Sequence, residues 1–352
     1  MLKIAYLNVI EQNSSWGAEY FIDRGFKKNG HEPISIDYRK HRKNLPSKIA
    51  ELEDFDVFLL QRGEFLPLEL VESVNTPRFY WATELIARRK DQDQLIKSGL
   101  FDHVFVHSMK CKDTIISRGW IDSGKVSALI NGFDEETHKP MKIEKDIDVL
   151  FVGNVTPRRQ KLLDNLSQIQ HIEICKAYGK EMTILINRSK IVLNIHAAEE
   201  LDTETRVYEV LGCGAFLLSE PLSEENPFTT EKHYIETDIK YFSKTISFYL
   251  KHDDEREKIA ECGKKEAWAK HSYVKRSEEI ANIMKTFVKE SPAQTSIDSD
   301  MLQEQITWLE HPQLKLNIIK YIQALYYPTA SSFKKIIRWF SIGIKIIFKR
   351  QI

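Results

Sequence analysis

The chain has 352 residues, 42% of them hydrophobic and 29% charged, with 51 basic and 51 acidic side chains. That length supports two domains with cores of their own, and the composition excludes a disordered chain, a collagen-like repeat and a disulfide-stapled miniprotein. A formal charge of zero argues against a protein that coats nucleic acid over much of its surface.

In chain order, the run KIAYLNVI predicts a strand, residues 16–29 a helix closed by Gly30, and PISIDY a second strand. The opening run turns polar at Glu11, which is too short and wrongly flanked for a signal peptide. DVFLLQRG, PRFYWAT and FDHVFVHS follow as further strands, each separated by helical or loop segments. Continuous apolar strands spaced by helices imply a parallel sheet covered on both faces. KVSALINGFDEETHKP reads as a last strand, a turn at Asn131-Gly132 and a polar linker, which closes a first domain at 1–140.

After KIEKDID the pattern restarts. DVLFVGN is a strand ending in Gly153, 157–168 a helix, and HIEICKAYG a strand ending in Gly179. A helix near 181–188, the strand KIVLNIHA, a helix near 203–212, the strand AFLLS and helices from 241 to 288 complete a second domain at 146–288. Two doubly wound halves place a ligand cleft between the carboxyl ends of their strands.

Residues 289–300, KESPAQTSIDSD, read as a linker, and 301–352 as a helical extension. Within it, Phe333, Ile336, Ile337, Phe340, Ile344, Ile347 and Phe348 fall on one helical stripe, opposite Lys334, Arg338, Ser341, Lys345 and Lys349. The tail holds six basic residues and no acidic one, so residues 333–350 suit an anionic membrane surface. Packing of the same stripe on the first domain is the competing reading. No uncharged run reaches the roughly eighteen residues that span a bilayer. Cys111, Cys175, Cys213 and Cys262 lie far apart without a CxxC pair, as in a cytoplasmic protein with reduced thiols. With the tail, the expected location is cytoplasmic, peripheral on the inner face of the membrane.

The block NIHAAEELDTETRVYEVLGCG, from Asn194 to Gly214, carries the most chemistry. A helix beginning near Asp202 or Thr203 presents Arg206 and Glu209 three residues apart on one face. A helix N-terminus suits a diphosphate, Glu209 can accept two hydroxyls of a ribose, and Arg206 can neutralise phosphate. A solvated Arg/Glu pair is the plainer reading. In FVGNVTPRR, Gly153 ends a strand before a turn with Asn154 and Pro157 and a helix bearing Arg158 and Arg159. That is the layout of a phosphate-facing loop, or of an ordinary strand-to-helix turn. Glu84 after FYWAT and His107 after HVFV end strands of the first half, so each is a candidate proton acceptor or a structural group. Trp16 and Gly17, in the first strand-to-helix loop, are candidate acceptor contacts. D-x-D pairs at 54/56, 91/93, 146/148 and 298/300 sit in unsuitable contexts, and no metal is assigned.

FVGNVTPRR, the turn Tyr178-Gly179, VLNIHA and TRVYEVLGCGAFLLSE, with FDHVFVHS and INGFDEETHKP in the first half, resemble GT-B glycosyltransferases. More narrowly they resemble the CgeB-like, spore-maturation-type group. The resemblance spans about residues 1–288 and is most specific over 148–220. It implies an α/β GT-B fold: two Rossmann-like, doubly wound domains facing a central cleft, plus the C-terminal helical extension. It further implies a UDP- or GDP-type nucleotide-sugar donor on the second domain, an acceptor on the first, and neither catalytic metal nor cofactor. By position, Glu209 would bind the ribose, Gly153, Asn154, Arg158 and Arg206 would surround the diphosphate, and His196 and Thr205 would lie beside the donor sugar. One departure is Leu201, where large retaining GT-B families carry an acid; Glu200 and Asp202 flank it.

The expected function is metal-independent sugar transfer to a glycan, lipid-linked or protein acceptor, with no nucleic-acid partner. A sugar-nucleotide epimerase and a catalytically silent glycan-binding or surface-assembly protein of the same fold are the rivals.

Overall fold

A computed structural model describes residues 1–11, 16–52 and 54–288. The expected linker at 289–300 and the extension 301–352, with its basic stretch 333–350, lie outside the described residues.

Two parallel sheets organise the chain. The first contains β1 (Lys3–Asn8), β2 (Glu32–Asp37), β3 (Val57–Gln61), β4 (Arg78–Ala82), β5 (His103–Val106) and β6 (Val126–Ala128), in the order β2-β1-β3-β4-β5-β6. The second contains β7 (Ile147–Val152), β8 (Glu173–Cys175), β9 (Ser189–Asn194), β10 (Leu217–Ser219) and β11 (Ile235–Glu236), in the order β8-β7-β9-β10-β11. Both halves therefore wind the same way: the second strand is added on one side of the first, and the chain then reverses direction. The reversal opens a crevice beyond the carboxyl ends of β1 and β3 in one half, and of β7 and β9 in the other.

Helices cover both faces of each sheet. The first half carries α1 (Ala18–Lys28), α2 (Leu45–Ala50), α3 (Leu68–Glu72), α4 (Lys90–Lys97) and α5 (Met109–Ser117). The second carries α6 (Pro157–Ser167), α7 (Gly179–Asn187), α8 (Thr205–Gly212), α9 (Phe242–Tyr249) and α10 (Asp253–Lys270), and the chain continues into α11 (Tyr273–Lys285). This double cover explains why the strands read as unbroken apolar runs. Along β3, Phe58 and Leu60 enter one core while Val57 and Leu59 enter the core on the other face. In β7, Leu150 and Val152 part from Val149 and Phe151 in the same way.

One element differs from its sequence reading. The strand expected to run from HIEICKAYG to Gly179 is confined to Glu173–Cys175, at an exposed sheet edge. Tyr178 is extended and Gly179, with φ of 51°, begins α7 instead of ending a strand.

The last described helix returns to the first sheet. Tyr273, Ile280, Ala281 and Met284 of α11 share a core with Leu2, Ile4, Phe21 and Phe26. The outgoing and returning crossings touch: Phe133 N–H donates to the His271 carbonyl at 3.1 Å, and Tyr273 N–H to the Phe133 carbonyl at 2.8 Å. Among the described residues, no helix is long and apolar enough to cross a membrane.

Candidate active site

The carboxyl ends of the two sheets face each other across a cavity of about 660 Å³. Leu129, Asn131 and Tyr273, at the crossings between the halves, contribute to its lining.

On the second half, β7 ends and the chain turns at Gly153, whose φ of 153° belongs to glycine. A Cβ there would stand 4.0 Å from Nη2 of Arg206, so the loop backbone lies directly under that guanidinium. Asn154 holds the loop to the next helix, its Oδ1 accepting the Tyr178 hydroxyl at 3.1 Å. Gly153, Asn154, Tyr178, Gly179, Thr205, Arg206 and Glu209 all line the cavity. Arg206 Nη1 donates to Glu209 Oε2 at 2.7 Å, and both side chains are largely buried. Arg206 also contacts the Met182 sulfur.

The three helix N-termini at this wall differ. At α6, the Thr156 side chain caps the first turn by accepting the Arg159 N–H at 3.3 Å. At α7 and α8, among the described residues, no side chain caps the first turn, and both starts, Tyr178-Gly179 and Glu204-Thr205-Arg206, open into the cavity. Uncapped amides facing a cavity are partners for an anion.

Two residues expected at the donor are turned away from the cavity. Arg158 makes a two-pronged pair with Glu220, at 2.9 and 2.6 Å, and donates to the His196 carbonyl at 2.9 Å. His196 is buried, with Nε2 2.7 Å from the Pro221 carbonyl oxygen. Neither lines the cavity, whereas the adjacent Arg159 does. Arg159 is itself fully engaged, donating to the Ile195 carbonyl at 2.7 Å, the Asn154 carbonyl at 3.1 Å and Glu204 at 2.6 Å. Burial disfavours a charged His196, but Glu204 and the Pro221 carbonyl outweigh it and raise its pKa. Burial likewise pushes Glu204 up, and His196 and Arg159 bring it below the ordinary carboxylate value.

On the first half, Trp16, Gly17, Glu84 and His107 all line the cavity. Glu84 makes no side-chain ion pair or hydrogen bond through its carboxylate among the described residues, while its main chain is held by Gln92 at 3.0 and 2.9 Å. His107 instead reaches the other half, Nε2 lying 2.9 Å from Asp202 Oδ1. Against the upward push of burial, His107 holds the Asp202 carboxyl below its usual value. Leu201, beside it, is 49% exposed, whereas Asp202 lines the cavity. Trp16 stacks on Tyr178 across the mouth, ring centroids 4.5 Å apart. Glu225 of the second half caps α5 of the first, accepting the N–H of Met109 and, at 3.1 Å, that of Lys110.

The sequence reading missed Arg39, Arg62 and Arg88 on the first wall. Arg62 follows β3 with a left-handed φ of 66° and pairs with the fully buried Glu19. Arg39 pairs with buried Glu64 at 2.7 Å. The rule that singled out Glu84 and His107, a polar residue at a strand's carboxyl end, applies equally to Arg62.

Comparison with known proteins agrees with this architecture. Residues 135–282 match the family model described as glycosyl transferase-like. Two uncharacterized proteins of Acanthamoeba polyphaga mimivirus are 31% identical over 106 residues and 37% identical over 93 residues. These matches cover 29% and 25% of this chain, and 32% and 33% of the viral proteins, so the chain spans about a third of their length. Among solved structures, Anabaena HepE in complex with UDP and glucose superposes with a TM-score of 0.60 at 11% identity, over 81% of this chain and 100% of that one. Sucrose-phosphate synthase from Thermosynechococcus elongatus gives 0.61 at 10% identity, over 81% and 99%. A glycosyltransferase from Rickettsia africae gives 0.62 at 12%, over 82% and 99%. The chain thus has the GT-B fold of glycosyltransferases, and its second half carries a glycosyl transferase-like domain.

Proposed function

We propose that the chain transfers a glycosyl group from a nucleotide diphospho-sugar to an acceptor hydroxyl, as a member of the CgeB-like group. The observation that carries this reading is the pair of uncapped helix starts, at α7 and α8, opening beside Arg206 and Glu209 in one cavity. Helix N-terminal amides carry partial positive charge and suit a diphosphate. A carboxylate offers several acceptor positions, enough for the two hydroxyls of a ribose at Glu209. HepE is described in complexes with UDP and glucose and with UDP-glucose, which favours a uridine nucleotide among the donors to try first.

In this reading an acceptor oxygen attacks the anomeric carbon, the bond to the diphosphate breaks, and the diphosphate leaves with the electron pair. Arg206 and the amides of α7 and α8 meet the charge that develops on it. Glu84, whose carboxylate is uncommitted among the described residues, takes the hydroxyl proton. His107 and Asp202, joined across the cleft, border the donor sugar. No metal enters this scheme, and the acceptor is a glycan, a lipid-linked sugar or a protein.

Thermal-shift titration with UDP, GDP and their sugars tests donor binding, because a bound ligand raises the midpoint by mass action. A flat response to every one overturns the proposal. Release of nucleotide diphosphate that depends on added acceptor supports it. Epimerised donor points to an epimerase, and binding without turnover to a silent glycan-binding protein.

A further inference from the structure

His138 lies in the segment between the two halves, nine residues before the second sheet begins, yet its side chain ends under the donor wall. The imidazole is 1% exposed. Its Nδ1 accepts the Asp134 N–H at 3.1 Å, and the His138 N–H returns to the Asp134 carbonyl at 2.7 Å. A ring nitrogen that accepts an amide hydrogen carries none itself, so the neutral ring has its hydrogen on Nε2. Burial disfavours the charged ring and lowers the pKa, which keeps the ring in that neutral form. Nε2 is buried and has no hydrogen-bond partner among the described residues. The carboxylate it faces is that of Glu209, with Oε1 at 3.7 Å.

That distance is too long for a hydrogen bond. It nevertheless leaves a buried donor aimed at a carboxylate whose other oxygen is already held by Arg206 at 2.7 Å. A carboxylate has about four lone-pair positions. With Arg206 on one oxygen and His138 on the other, two positions would remain, one for each hydroxyl of a vicinal diol.

We propose that His138 is a positioning residue for ribose recognition: its Nε2–H closes onto Glu209 Oε1 when nucleotide binds and fixes the carboxylate plane against the two ribose hydroxyls. The inference rests on the reading of Glu209 as the ribose acceptor. It also gives the interdomain segment a part in donor binding, because Phe21 of α1 packs edge-on against the same imidazole, centroids 5.3 Å apart. His138 therefore sits between an element of the first half and the donor wall of the second.

The test is the ratio of affinities for UDP and 2′-deoxy-UDP, or for GDP and its 2′-deoxy form if GDP is the nucleotide that raises the melting temperature. It is measured in wild type, Glu209→Gln, His138→Asn and His138→Gln, with melting temperatures recorded alongside. Asn can keep the acceptor for the Asp134 N–H but cannot reach Glu209, whereas Gln can deliver an N–H to it. The expected result is that His138→Asn weakens UDP binding roughly fivefold to tenfold and collapses the ratio, while His138→Gln restores most of it. A merely structural role would move melting temperature and both affinities together, with Asn the better tolerated of the two, and that outcome overturns the proposal. If Glu209→Gln collapses the ratio but His138→Asn does not, the ribose reading stands and this inference falls. If Glu209→Gln leaves the ratio intact, or no nucleotide binds, both fall.

Discussion

His107 and Asp202 meet 2.9 Å apart although 95 residues separate them and each belongs to a different half of the molecule. His107 extends the carboxyl end of β5, and Asp202 precedes α8. Both side chains line the cavity, as do the stacked rings of Trp16 and Tyr178. The bond thus reports two things together, closure of the cleft and delivery of a carboxylate where Leu201 supplies none.

Replacing Asp202 with Asn tests that bond and has a defined pH signature. Because the folded-state pKa of Asp202 is depressed, its ionised form stabilises the fold; this contribution is present above the unfolded value of about 3.9 and is lost as pH falls through the lower folded value. Urea unfolding at pH 7 is expected to show the variant weaker by about 1–2 kcal/mol. Near pH 3 the difference is expected to shrink. A gap of constant size at both pH values would show that the charge of Asp202 contributes nothing to stability.

Arg206 and Glu84 stand on opposite walls and are expected to fail differently. Arg206→Ala removes the 2.7 Å partner of Glu209 and the guanidinium over the Gly153 loop, so nucleotide affinity is expected to fall by about tenfold or more. Glu84→Gln keeps the shape of the first wall and is expected to leave nucleotide affinity unchanged while lowering kcat by about 10²-fold or more. Calorimetric titration with nucleotide and initial-rate kinetics separate the two. Wild-type affinity in Arg206→Ala would remove that arginine from the donor site.

The return of α11 to the first sheet can be tested without any ligand. A Cβ on Gly25 of α1 would lie 2.5 Å from Ser277 Oγ and 2.8 Å from the Tyr273 carbonyl oxygen. The serine can move, but the backbone oxygen cannot. Gly25→Ala is therefore expected to lose about 1–3 kcal/mol through overpacking, despite the helix propensity of alanine. A melting temperature equal to wild type would mean that α1 and α11 are not packed this closely.

The strands were legible because both faces of each sheet are covered, which turns every inner strand into an apolar run. That Arg206 and Glu209 meet was legible as well, since residues three apart on a helix share one face whatever surrounds them. Choosing between Arg158 and Arg159 was not possible on the same basis. Neighbours in the first turn point about 100° apart, and the phase depends on where the helix starts, which the Thr156 cap decides. Glu220, which draws Arg158 away, lies 62 residues downstream. Gly179 was misread because a short edge strand followed by an extended Tyr178 has the same apolar alternation as one long strand. His138 carried no local signal: its meaning arises only when the interdomain segment folds under α8.

The paired bonds between Phe133 and the returning chain at His271 and Tyr273 tie the outgoing and returning crossings together where the two halves join. Arg276 adds to this tie, its Nε donating to the Ile130 carbonyl at 3.0 Å. Because Asn131 and Tyr273, on these two crossings, also line the cavity, the join between the halves is itself part of the cavity wall, and any change in the angle between them would reshape the cavity there.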